Sequence, residues 1–119
     1  MIEGIGVDIV DIRRIDNITK RYGDRFVSKV LTEGELKKSV ITIKDIASAF
    51  AAKEAFVKAL GTGFRGIGLK DIEVYNDEKG KPFYLFSSKI EKGFGKIRSH
   101  LSISHEKDYV VAMAVIERL

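Results

Sequence analysis

The sequence predicts an α+β fold in which an antiparallel sheet packs against helices, and three observations carry that prediction. Apolar residues alternate with a period of two at the start of the chain and again at its end. Two short β-prone runs, residues 71–75 and 82–86, flank a turn at Asn76 to Gly80, the pattern of a hairpin. Between these parts lies one long, alanine-rich helical stretch from Ile46 to Leu60.

Each element has its own warrant. Ile5, Val7 and Ile9 alternate with Gly6 and Asp8, so residues 2–10 read as a half-buried strand with Asp8 on the face opposite those apolar residues. Gly6 shares the face of Asp8 and leaves room for a ligand or another backbone to approach. Asp11 is placed to cap the next helix, where Ile12, Ile15 and Ile18 form the apolar stripe, the arginines fall outside it and Gly23 ends it. Thr32 and Glu35 have capping-box spacing, which predicts a short helix around Thr32 to Lys38. Residues 39–45 are ambiguous, and the long helix follows.

Beyond that helix, Gly61, Gly63, Gly66 and Gly68 mark a loop leading into the hairpin. Ser88 and Glu91 repeat the capping-box spacing and predict a helix over residues 89–95. Leu101 to His105 reads as a strand that turns at Glu106 to Asp108 into a final strand, Tyr109 to Ile116. That last strand is apolar on both faces and needs cover on both. Helices cover one side; the other is left to further cover within the monomer or to a subunit interface.

At 119 residues, 45% hydrophobic and 32% charged, the chain has the size and composition of one globular domain spanning 1–119. It has no cysteine, which removes disulfide and zinc-thiolate chemistry and fits a reducing cytoplasm. No apolar run is long enough to span a membrane, and Met1-Ile2-Glu3-Gly4 lacks the features of a signal peptide, so a cytoplasmic location is expected. The net charge of +4 favours acidic or phosphorylated partners without selecting one. Arg13, Arg14, Lys20, Arg21, Arg25 and Lys29 concentrate that charge in one segment, a basic face.

Four pieces carry candidate chemistry: Asp8 on a strand, Glu54 and Lys58 on the buried helix, the Gly61-Thr62-Gly63 turn, and Ser102-Ile103-Ser104-His105. An ionised carboxylate such as Glu54 in a buried helix needs a positive neighbour. Lys58, four residues on, is one candidate and a metal ion is the other. Taken singly, these features are as well explained by ion pairing and helix capping. Together, two carboxylates, a lysine and a glycine loop suit a hard divalent cation bound with phosphate groups, as magnesium binds. With only His100 and His105 and no cysteine, zinc is disfavoured. Neither a Walker lysine motif nor a dinucleotide fingerprint is present.

The segments Gly4-Ile5-Gly6-Val7-Asp8-Ile9, Phe50-Ala51-Ala52-Lys53-Glu54-Ala55 through Lys58-Ala59-Leu60-Gly61-Thr62-Gly63, Asp71-Ile72-Glu73-Val74, Gly80-Lys81-Pro82 and Ser102-Ile103-Ser104-His105 together resemble the holo-[acyl-carrier-protein] synthases. These belong to the 4'-phosphopantetheinyl transferases, and the chain's length resembles their small, homotrimeric group. The resemblance implies the 4'-phosphopantetheinyl transferase fold and transfer of phosphopantetheine from coenzyme A to a serine of apo-acyl carrier protein, for fatty acid biosynthesis. It assigns Asp8 and Glu54 to Mg2+ and makes them catalytic together with Lys58. Coenzyme A would be met by Lys58, Gly61, Thr62, Gly63, His105 and Lys44, and the carrier by Arg14, Arg21, Arg25 and Phe26. Glu54, a metal-bound water and Lys58 all stay open as the base for the serine proton. The resemblance further implies trimer formation through the sheet containing the last strand, with each site between neighbouring subunits.

The chain departs from that family at Ile41-Thr42-Ile43-Lys44 and at Ala49, where members often carry basic residues for the 3'-phosphate. Lys44, with Arg65 or Lys70, is the expected replacement. Two other classes compete: a binding module using the basic helix on an acidic protein or nucleic acid, and a magnesium-dependent phosphohydrolase. The first needs neither Asp8 nor Glu54; no nucleic-acid motif supports a nucleic-acid partner. The second would release adenosine bisphosphate without modifying a carrier.

Overall fold

The computed structural model describes residues 1–61 and 66–119. In chain order the elements are β1 (Ile2–Asp11), α1 (Ile12–Tyr22), α2 (Asp24–Val30), α3 (Glu33–Leu36), α4 (Ile43–Leu60), a 3-10 turn at Leu69–Asp71, β2 (Ile72–Asn76), β3 (Pro82–Phe86), α5 (Ser88–Phe94), β4 (Ile97–Glu106) and β5 (Tyr109–Arg118). Three strands form one antiparallel sheet in the order β1-β5-β4, and β2-β3 is a separate antiparallel hairpin. The α+β architecture expected from the sequence is the one observed.

Helix α4 lies across the main sheet, and glycine decides how close it comes. A Cβ at Gly6 would stand 2.6 Å from the amide nitrogen of Ala59 and overlap the carbonyl oxygen of Ala55. One at Gly4 would overlap the carbonyl oxygen of Ala59. Of the two approaches open at Gly6, ligand or backbone, the helix backbone takes the space. This places Gly4, Gly6, Asp8 and Val10 on the helix side of β1. Ile5, Val7 and Ile9, which period-two reasoning would turn inward, are 59, 49 and 63% exposed.

The same division runs through β5. Val110, Ala112, Ala114 and Ile116 are buried under α4, while Tyr109, Val111 and Met113 stand 36–44% exposed on the other face. Register joins the two strands: Val7 pairs with Met113 and Ile9 with Val111, so the exposed apolar residues form one continuous patch. Among the described residues, the last strand is therefore buried along one face, while the other is exposed at Tyr109, Val111 and Met113.

Local signals mostly held. Asp11 caps α1 through its side chain, accepting from the backbone N–H of Arg13, and Gly23 ends that helix with φ 58°. Thr32 and Glu35 form a capping box. Thr42 and Asp45 form another at the start of α4, which settles the ambiguous stretch before it. Two readings need correction. Helix α2 follows Gly23 directly where no element was expected. Helix α5 is capped at Ser87, whose hydroxyl donates to Asp71 at 2.8 Å instead of bonding within the helix. No helix among the described residues is long and apolar enough to cross a membrane.

Candidate active site

The close seating of α4 on β1 brings Asp8, Glu54 and Lys58 together. Asp8 is the first residue beyond Gly6 on the helix side of β1, and its carboxylate is only 15% exposed. Lys58 reaches from α4 to the strand, donating from Nζ to Asp8 Oδ1 at 3.0 Å and to the Val7 carbonyl oxygen at 3.1 Å. The sequence offered Lys58 as partner to Glu54, four residues before it. The helix instead sends it across to β1, because two fixed oxygens outbid a single i−4 carboxylate.

Glu54 is half-buried and, among the described residues, forms no hydrogen bond or ion pair. Burial, and then the negative charge of Asp8, push its carboxyl above the ordinary carboxylate range; Lys58 offsets part of this. A half-buried carboxylate with a second carboxylate beside it forms a donor set suited to a hard cation. Among the described residues no group of three or more His, Cys, Asp or Glu side chains is arranged to hold a metal ion by itself. A cation held here would complete its shell with water and ligand oxygens, the way magnesium is bound alongside phosphates.

The most deeply buried charge belongs to Lys53, which sequence reasoning passed over. Its side chain is fully buried on the side of α4 away from β1. Nζ donates to Glu35 Oε1 at 2.7 Å and to the carbonyl oxygen of Val30. A lysine inside an alanine-rich helix was the available signal; its partner, from another element, was not.

Lys44 and His105 share a second region, a groove of about 670 Å³ at the N-terminal end of α4 that also takes in Lys38, Thr42, Ser48 and Ile103. Lys38 was missed, and it pairs with Asp45 at 3.0 Å. This groove lies by β4, on the opposite edge of the sheet from β1. Lys44 and Lys58 are separated along α4 by about 21 Å of helix rise. One chain thus holds the two groups apart. Lys70 does not join the groove; it lines a separate depression with Glu33, Asp71 and Glu73. Gly61 adopts φ 79° and caps α4. Thr62, Gly63 and Arg65 lie outside the described residues.

On the basic segment, Arg13 is occupied by Asp11 at 2.8 Å and Asp108 at 3.7 Å, and Lys20 by Asp16 at 3.2 Å. Arg14, Arg21 and Arg25 are exposed and, among the described residues, make no salt bridge. Phe26 is half-buried, packed against the core.

Residues 4–114 match the family model of the 4'-phosphopantetheinyl transferase superfamily. The chain belongs to that superfamily. As a member it is a transferase, and its relatives cover it from end to end. It is 48% identical to the holo-[acyl-carrier-protein] synthase of Halothermothrix orenii and 47% to that of Clostridium tetani, covering 98% of this chain and 98 and 97% of theirs. Among solved structures, the holo-[acyl-carrier-protein] synthase of Neisseria meningitidis matches with a TM-score of 0.90 at 40% identity, over 99% of this chain and all of the other. A Helicobacter pylori synthase solved in complex with coenzyme A matches with a TM-score of 0.86 at 32% identity, over 95% of this chain and 99% of that one. The transferase fold is therefore this chain's fold.

Proposed function

We propose that this single-domain transferase moves 4'-phosphopantetheine from coenzyme A to a serine of apo-acyl carrier protein, releasing adenosine 3',5'-bisphosphate, as a magnesium-dependent cytoplasmic step of fatty acid biosynthesis. The observation that carries the reading is the convergence of Asp8, Glu54 and Lys58 where α4 meets β1, in a chain so close to named holo-[acyl-carrier-protein] synthases. Coenzyme A as donor is supported by the relatives solved with it.

Asp8 and Glu54 would hold Mg2+, which supplies charge stabilisation for oxygens of the pyrophosphate when bound. Lys58 orients Asp8 and presents its ammonium to the same phosphates. In phosphoryl transfer, position and charge neutralisation supply most of the catalysis, so few groups are needed. Of the open candidates for general base, Lys58 is the least suited, since its ammonium is engaged by two oxygens of β1. Gly61, Thr62 and Gly63 are proposed as further contacts to the same ligand. Lys44 and His105, with Lys38, offer cations for the nucleotide end, where Ala49 supplies none.

The carrier is acidic in this reading and meets Arg14, Arg21 and Arg25 on α1 and α2, with Phe26 as the apolar contact beneath them. The exposed patch of Ile5, Val7, Ile9, Val111 and Met113 is the proposed trimer interface; contiguous apolar surface of this kind marks an interaction site. It accounts for the separation of the two ligand-binding groups, because a neighbouring chain can bring its Lys44 and His105 to this chain's Asp8 and Glu54.

Incubation with coenzyme A, magnesium and apo-acyl carrier protein, followed by mass spectrometry of the carrier, tests the function. A carrier heavier by one phosphopantetheine group is expected, with the gain lost in Asp8→Ala, in Glu54→Ala and in excess chelator. Unmodified carrier with free adenosine bisphosphate would replace this reading with hydrolysis.

A further inference from the structure

Lys53 has no part in the chemistry above, yet its ammonium is fully buried. Apolar residues of similar volume often replace a buried ion pair without loss of stability, so stability alone does not require a lysine here. Its two bonds, extended by those of its partner Glu35, reach three other parts of the fold. Nζ donates to the Val30 carbonyl oxygen at the end of α2 and to Glu35 on α3. Glu35 in turn accepts from the backbone N–H of Thr32 at 2.8 Å and of Val74, on β2, at 2.9 Å.

The opposite side of α4 shows what such bonds would do. There the helix rests on Gly4 and Gly6 of β1 through the backbone of Ala55 and Ala59, a contact that permits close approach, and its directional bonds on that side are those of Lys58, near its C-terminal end. Phe56 packs on Tyr84 and Phe86 at ring separations of 5.2 and 4.6 Å, and the Tyr84 hydroxyl donates to the Ala52 carbonyl oxygen of α4. Hydrogen bonds to Nζ are directional and weaken steeply when their geometry is disturbed. Glu54 follows Lys53 by one residue, about 100° around the helix.

We infer that Lys53 and Glu35 are positioning residues that fix the roll of α4 and thereby aim the Glu54 carboxylate toward Asp8. The inference rests on the proposed role of Asp8 and Glu54, and its test separates the two.

The variants are Lys53→Met and Glu35→Asp; the second keeps both charges and shortens one arm, so it is the one expected to fold if Lys53→Met does not. Folded fraction is measured by circular dichroism, transfer by kcat and KM, and metal affinity by Mn2+ titration followed by electron paramagnetic resonance with coenzyme A present. Loss of outer supports of a metal site costs about 10- to 100-fold in affinity or activity. The expected result is a loss of that size in kcat and in Mn2+ affinity per folded molecule, with KM for the carrier little changed. Wild-type kcat and Mn2+ affinity in the folded variants would overturn the inference and leave the proposed function standing, as would a loss that tracks only the unfolded fraction. Wild-type protein showing neither transfer nor Mn2+ binding would overturn both.

Discussion

Gly6→Ala tests the contact on which the site is built. The added methyl would stand 2.6 Å from the Ala59 nitrogen and overlap the Ala55 carbonyl oxygen, both backbone atoms of a rigid helix. Neither can swing aside, so α4 must withdraw from β1 by about 1.5 Å to restore ordinary contact. Overpacking of this kind costs about 1–3 kcal/mol, and backbone against backbone belongs at the upper end. At about 4 °C per kcal/mol for a chain of this size, the midpoint of thermal unfolding should fall by roughly 12 °C. Activity should fall further than the folded fraction. Asp8 is on the strand and Glu54 on the helix, and a misplacement of about 1 Å between catalytic groups can cost roughly 100-fold in rate. Circular dichroism melts and the mass-spectrometric transfer assay measure the two effects. Gly93→Ala is the control: it lies in α5, its Cβ would meet nothing, and the change should be neutral or stabilising by about 0.5–1 kcal/mol. A Gly6→Ala protein melting with wild type and retaining its turnover would refute the argument that glycine sets the helix position.

Glu54→Gln should abolish transfer yet raise the melting temperature at neutral pH in chelator. Its carboxyl is raised in the fold by burial and by Asp8, so the folded chain holds a proton that the unfolded chain releases, and the stability contribution is lost as pH rises through the raised value. The advantage of the variant should shrink as the pH falls below the usual carboxylate range; an advantage independent of pH would contradict the assignment. Arg14→Glu with Arg21→Glu should weaken carrier binding more than coenzyme A binding, and less so at high salt, because charges beyond about 8 Å are screened at physiological ionic strength. Equal loss for both ligands in separate titrations would remove the docking assignment. Val111→Glu should dissociate the proposed trimer while leaving a folded chain, whereas Ala112→Glu, at a fully buried position, should unfold it. Sedimentation of wild type as a fully active monomer would refute the shared site.

Why some of this was legible and some was not follows from the range of each interaction. Asp11 capping α1, Gly23 ending it and the hairpin at Asn76 to Gly80 depend on neighbours within a few residues, and the sequence displays them directly. Asp8 and Glu54 could be chosen because charge amid alanine and glycine demands an explanation. Which face of β1 turned inward could not be read from alternation, since a period of two separates the faces without ranking them. Glycine against a helix backbone outweighed three exposed aliphatic side chains, the reverse of the usual assignment. Lys53 with Glu35 and Lys58 with Asp8 are pairs made between elements; both needed the placement of α4 before either partner could be named. The groove's Lys38 was hidden for the same reason.

One junction has a mechanical meaning. Strand β1 ends at Asp11 and helix α1 begins at Ile12, with no connecting residue. On the docking reading, the surface that grips the carrier and the carboxylate that serves the chemistry belong to a single stiff piece of backbone, as a workpiece clamp and a tool are mounted on one jig. Inserting one residue at that joint would turn every arginine of α1 by about 100° relative to Asp8 while deleting no contact residue. Such a protein would keep its parts and lose their alignment.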